Sequence, residues 1–219
     1  MKLFVWDFHG VLEKDNDKAV LAISNQTLRE FGYKEKLTEK ECRKLSGLKW
    51  FQYFEYLLPA ISHKSHIQLQ ERCFEISNQK PEIVAKYIQV NDYAEFVLET
   101  IKGKHQLALI SNTKPASLQM YLKVTNLKKY FSESYTIAVD AHKKEICKTK
   151  KDFLTNILSQ SKDDFEKVVI VGDSPSDMQL TKDISIPTIT YLYSHPGRKF
   201  RECESDYKIN DLREVLKEV

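Results

Sequence analysis

Residues 3–13, LFVWDFHGVLE, decide how the rest of this chain is read. Leu3, Phe4, Val5 and Trp6 form a short apolar run that stops at Asp7, the pattern of a strand buried on both faces of a parallel sheet and ending in a loop. Asp7 then stands at the strand's carboxyl end, where open α/β sheets place their ligands. A carboxylate there is costly unless a cation or hydrogen-bond donors meet it. Gly10 permits a tight turn, so Asp7 and the carbonyl of His9 are placed to face one cation from one loop.

Working outward, other apolar runs end in the same way. Gln106–Ile110, QLALI, leads into Ser111-Asn112-Thr113, with Pro115 positioned to start a helix. A hydroxyl at a strand end before a helix N-terminus makes a phosphate-binding corner, with Ser111 and Asn112 as its donors. A strand at Tyr135–Val139 and a helix around 150–159 follow. Val168–Val171, VVIV, then runs into Gly172-Asp173-Ser174-Pro175-Ser176-Asp177. Asp173 ends its strand as Asp7 does, and Asp177 lies one turn into the next helix. With Asp7, the His9 carbonyl and waters they make an oxygen-rich octahedral set suited to Mg²⁺, Asp177 orienting the shell more than binding. The chain closes with a strand at Ile186–Tyr191, a loop carrying His195, a short strand at Tyr207–Ile209 and a terminal helix.

Between Asn16 and about Val90 the period changes. Val20, Ile23, Leu28 and Phe31 recur three or four apart, and Gly32 is placed to end that helix. Thr38 and Glu41 form a capping box for a second helix through Leu45, an aromatic run from Trp50 ends at Pro59, and helices are expected at 64–77 and 80–88. This is a small antiparallel helical bundle inserted after the first strand. Ser46-Gly47-Leu48-Lys49-Trp50 joins two of its helices, and Lys49 is a candidate to meet an anionic substrate.

The 219 residues suffice for a core plus a smaller inserted domain. The 34 basic and 31 acidic residues are interspersed, which gives no footprint for nucleic acid. Cys42, Cys73, Cys147 and Cys203 are far apart with no CxxC pair, as expected for reduced thiols in a cytoplasmic protein. No apolar stretch approaches the roughly 20 residues that cross a bilayer, and the N-terminal apolar run ends too soon for a signal peptide.

Asp7 and Gly10 with their apolar flanks, Ser111 closing a strand, a lysine before the 150–159 helix and Gly172-Asp173-Ser174-x-x-Asp177 together resemble the four signatures of the haloacid dehalogenase-like hydrolases. The resemblance implies a three-layer α/β sandwich with a parallel Rossmann-like sheet at 1–13 and 91–219, and a helical cap at 14–90. It implies a small phosphorylated metabolite as substrate, Asp7 as nucleophile, Mg²⁺ held at Asp7, His9, Asp173 and Asp177, and Ser111 and a lysine on the phosphoryl group. Lys148 fits that lysine best, since Phe153 and Leu154 follow at apolar helix positions, although Lys143, Lys144, Lys150 and Lys151 crowd the region. The chain departs from phosphatases of the family at His9, where they carry a second Asp, so His9 has to act as the acid–base group. Three other readings stay open: a phosphonate hydrolase using Lys49 as a Schiff base, a metal-independent dehalogenase, and a non-catalytic binding protein on the same fold.

Overall fold

A computed structural model describes residues 1–45, 48–139, 149–161, 164–182 and 184–219. The chain divides into two compact units, Met1–Lys14 with Val90–Val219, and Asp15–Gln89. Among the described residues there are eight strands: β1 (Lys2–Trp6), β2 (Glu13–Lys14), β3 (Gln89–Val90), β4 (Gln106–Ser111), β5 (Thr136–Ala138), β6 (Lys167–Gly172), β7 (Thr188–Tyr193) and β8 (Tyr207–Ile209). The chain leaves the first unit through β2 and returns through β3, where Asn91 donates its amide to Leu12 O (2.9 Å) and its side-chain Nδ2 to Val11 O (2.7 Å).

Six strands form one sheet in the order β5-β4-β1-β6-β7-β8, and every adjacent pair is parallel. Counted along the chain this is 3-2-1-4-5-6, the doubly wound Rossmann order, which reverses direction between β1 and β6. β1 is central and its residues are buried from Leu3 onward, as its unbroken apolar run demands. Side chains alternate across the sheet: Leu3, Val5, Ala108, Ile110, Val168 and Ile170 join one core cluster, while Phe4, Trp6, Leu107, Leu109, Val169 and Val171 are buried outside it.

The second unit is helical: α1 (Asn16–Glu30), α2 (Glu39–Leu45), α3 (Trp50–Leu57), α4 (His63–Gln79) and α5 (Pro81–Tyr87). Gly32, at φ +79°, follows α1 in the left-handed conformation that stops a helix. The capping box forms, with Thr38 N–H donating to Glu41 Oε2 (2.9 Å) and Glu41 N–H to Thr38 Oγ1 (3.3 Å). Asn25 clips the connection by accepting from Leu37 N (2.8 Å) and donating to Leu37 O (2.9 Å). Leu37, Cys42, Leu45 and Tyr53 then pack on Val20, Leu21 and Leu57.

In the first unit α6 (Ala94–Lys102), α7 (Pro115–Val124), α8 (Lys150–Gln160) and α9 (Pro175–Met178) connect the strands. α8 buries Leu154 and Ile157 in the cluster of Leu3 and Val5. Two expectations shift. The strand expected at Ile186–Tyr191 runs from Thr188 to Tyr193, because Pro187 has no N–H for the ladder and only its carbonyl joins, accepting from Val168 N (2.9 Å). The terminal helix is 3₁₀, Leu212–Glu218, capped by Asp211, whose carboxylate accepts from Arg213 N (2.9 Å). Among the described residues no helix is long and apolar enough to cross a membrane.

Candidate active site

The reversal between β1 and β6 is where a doubly wound sheet opens a crevice at its carboxyl edge, and the carboxylates gather there. Asp7 follows β1 directly and continues its ladder, donating N–H to Val171 O (2.9 Å). Asp173 follows β6, and Asp177 sits in α9. One oxygen from each of the three lies within 4.8 Å of the others. Two glycines make this crowding possible. A Cβ on Gly172 would fall 2.1 Å from Asp177 Cβ, and one on Gly10, at φ +76°, would fall 2.6 Å from Asp173 Oδ2. The His9–Gly10 backbone therefore passes against Asp173.

Among the described residues, Lys150 is the lysine that meets Asp7 and Asp177. Its buried Nζ lies 2.8 Å from Asp7 Oδ1 and 2.6 Å from Asp177 Oδ1. Burial alone would discharge the amine, but the charges of Asp7 and Asp177 outweigh it and hold its pKa above the ordinary lysine value. Lys150 is the first residue of α8, set by Thr149 as N-cap: Asp152 N–H donates to Thr149 Oγ1 (3.3 Å), and Thr149 N–H to Asp152 Oδ2 (2.6 Å). Lys148, the lysine expected in this place, lies outside the described residues, as do Lys143 and Lys144.

Asp177 spends both oxygens on neighbours, since Oδ2 accepts from Ser174 N (3.1 Å) and Ser174 Oγ (2.6 Å). It is built to orient Lys150 and the Ser174 turn. Asp173 pairs through Oδ2 with Arg201 (3.1 Å), a residue to which sequence reasoning gave no role. Burial, then the nearby charges of Asp7 and Asp177, push the Asp173 carboxyl up to about 7 despite Arg201, and burial raises Asp7 as well despite Lys150. Among the described residues, three carboxylates thus face two cationic side chains, Lys150 and Arg201. The donors gathered here are carboxylate oxygens from Asp7, Asp173 and Asp177, a set whose chemistry fits a hard divalent cation such as Mg²⁺.

His9 is held by a residue that sequence reasoning passed over. Its Nδ1 lies 2.9 Å from Oε1 of Glu13, which also accepts from Gly10 N (3.3 Å). Glu13 is buried, and its Oε2 has no partner among the described residues. Burial would lower the pKa of His9, but the Glu13 hydrogen bond and charge, with Asp7 and Asp173 behind them, raise it above the usual histidine value. The ring also meets Phe8 and Tyr121 edge-on, at 5.2 and 5.1 Å between centroids. With Nδ1 engaged by the Glu13 carboxylate, Nε2 is the ring nitrogen not used in that contact.

Ser111 ends β4 at the same edge of the sheet, buried, with Oγ 3.1 Å from Thr113 Oγ1, and Asn112 beside it is exposed. Neither is hydrogen-bonded to Asp7 among the described residues. In the helical unit Lys49 is the N-cap of α3, and Ser46 and Gly47 before it lie outside the described residues.

A doubly wound α/β chain with paired strand-end aspartates and a buried lysine defines a class of hydrolase. The family profile of haloacid dehalogenase-like hydrolases matches residues 4–191, and the chain belongs to that family. Solved structures agree on the fold. A candidate phosphatase from Clostridium difficile is similar with a TM-score of 0.79 at 16% identity, covering 99% of this chain and 97% of that one. A candidate β-phosphoglucomutase from Thermotoga maritima gives 0.71 at 22%, covering 100% of both. The candidate hydrolase YfnB from Bacillus subtilis, a magnesium-bound structure, gives 0.71 at 13%, covering 99% and 97%. No curated protein matches in sequence.

Proposed function

We propose that this hydrolase cleaves small phosphate monoesters through an aspartyl-phosphate on Asp7. The observation that carries the reading is the Asp7 carboxylate at the sheet's point of reversal, with Oδ1 held by Lys150; Oδ2, which has no hydrogen bond among the described residues, is the attacking oxygen in this reading. In the first step Oδ2 bonds to phosphorus, the ester P–O bond breaks, and His9 Nε2 gives its proton to the departing oxygen. In the second, water attacks phosphorus, His9 takes the water's proton, and Asp7 is released with inorganic phosphate. Glu13 holds His9 in the tautomer and orientation both steps need. Lys150 and Ser111 offset charge on the phosphoryl oxygens, with Asn112 a further donor to them, and positioning plus electrostatics supply most of the rate. Mg²⁺, when bound by Asp7, Asp173 and the His9 carbonyl, adds positive charge against those oxygens.

The helical unit, inserted directly after the Asp7 loop, is assigned the role of a cap that selects the ester, with Lys49 as its substrate-binding residue. The cytoplasm is its setting, in keeping with four dispersed cysteines. A panel of phosphorylated metabolites assayed with Mg²⁺ and with a chelator tests the reading. Phosphate release that requires Mg²⁺ supports it. Halide release from a haloacid in the presence of chelator, with no phosphate ester turned over, would replace it.

A further inference from the structure

The helical unit carries a second cluster, with no part in the chemistry assigned to Asp7. Glu55 near the end of α3, and His63 and His66 in the first turn of α4, bring one carboxylate oxygen and one nitrogen from each ring within 4.8 Å of one another. His66 is buried and donates Nε2–H to Leu58 O (3.0 Å). A carbonyl can only accept, so Nε2 carries a proton, and in the neutral ring that a metal requires Nδ1 is the nitrogen with the lone pair. That Nδ1 is buried and has no hydrogen-bond partner among the described residues. Buried polar atoms are nearly always paired, and an imidazole tied to a carbonyl through one nitrogen with the other unspent is how metal-ligating histidines are held.

His63 and Glu55 supply the rest. His63 Nδ1 lies 2.8 Å from Glu55 Oε1; His63 is exposed and Glu55 half-buried, so an ion has access from solvent. Without an ion these two atoms share a proton. A tetrahedral ion about 2.0–2.1 Å from each would take the proton's place after they part by about half an ångström. The positive N-terminal end of α4 works against a cation, and the Glu55 carboxylate offsets it.

We propose that Glu55, His63 and His66 bind a borderline divalent transition-metal ion of the zinc class, with water in the fourth position, clipping the end of α3 to the start of α4. Two imidazoles among three ligands select against Mg²⁺, so this site is chemically distinct from the all-oxygen cluster of Asp7. The test uses the full chain in excess Mg²⁺, titrated with Zn²⁺ by calorimetry and with Co²⁺ by visible absorption. His63→Ala alters an exposed side chain and Glu55→Gln keeps the shape of a half-buried one, so the fold is kept. The proposal expects a saturable site, a four-coordinate Co²⁺ spectrum, and roughly tenfold or greater loss of Zn²⁺ affinity in each variant. Absence of saturable Zn²⁺ binding, or affinity and spectrum unchanged in both variants, would overturn it.

Discussion

A carboxylate at a buried strand end persists only where something meets its charge, and Lys150 does so for Asp7 and Asp177 together. The same need, met differently, governs His9. On the proposed mechanism His9→Ala loses roughly 10²–10⁴-fold in turnover of alkyl phosphates, the scale of general acid–base catalysis, and less on aryl phosphates whose leaving groups need little protonation. Glu13→Gln keeps the shape and removes the charge, and is expected to lower kcat about 10- to 100-fold with KM little changed. Steady-state kinetics of both variants and of the double variant decide this. If Glu13→Gln costs as much in the His9→Ala background as alone, Glu13 does not act through His9. Asp7, Asp173 and Asp177 were legible because each follows an apolar strand by a fixed number of residues. Lys150 was not singled out: Phe153 and Leu154 pointed to Lys148 among the five lysines of residues 143–151, and only the Thr149–Asp152 capping box fixes which lysine begins α8. Glu13 was invisible, because its contact with His9 forms in a turn, where no periodicity announces it.

Among elements, the pairing of β1 with β4 starts beside a histidine that has to stay neutral. His105 Nδ1 accepts from Lys2 N (3.4 Å), and its ring stacks on Phe4. Burial first, then the Lys2 charge, lower its pKa from 6.5. Below about pH 6.5 the unfolded chain takes up a proton that the folded chain resists, so the unfolded state binds more protons and stability falls as pH falls. The contribution is fully present above that pH and is lost down to the lowered folded value. Urea unfolding of the parent and of His105→Gln across this range is expected to show a steeper acid loss in the parent; parallel curves would remove His105 from the account. Strand existence was readable from apolar runs, whereas the limits of β7 were not, because Ile186 and Pro187 continue the apolar run but Pro187 cannot donate to the ladder.

At the scale of the whole chain, what positions the site is strand order. Alternation of apolar strands with helical periods pointed to a doubly wound sheet, but no local pattern states that β6 lies beside β1; that follows from burying β1 on both faces and edges. Once β6 is there, Asp173 and Asp7 are neighbours by geometry. Binding to the native state alone raises stability by mass action. Mg²⁺ is therefore expected to raise the Tm of the parent, about 2.7 kcal/mol of stabilisation at a hundredfold excess over Kd, and to do much less for Asp173→Ala. Chelator should abolish turnover in the parent, and high Mg²⁺ should restore part of it in the variant. Equal Mg²⁺ affinity in the two proteins by calorimetry would mean that Asp173 is not a ligand.

The central claim is the covalent intermediate on Asp7, and trapping it is the most direct test. The parent is mixed with a turned-over phosphate ester, quenched in acid within one turnover, reduced with borohydride and digested. Reduction of an aspartyl-phosphate converts that side chain to an alcohol, so the peptide spanning residues 3–13 is predicted to carry the change at Asp7, while Asp7→Asn shows neither the change nor turnover. Turnover by a folded Asp7→Asn protein, or a trapped phosphoryl group on any other residue, would contradict the account.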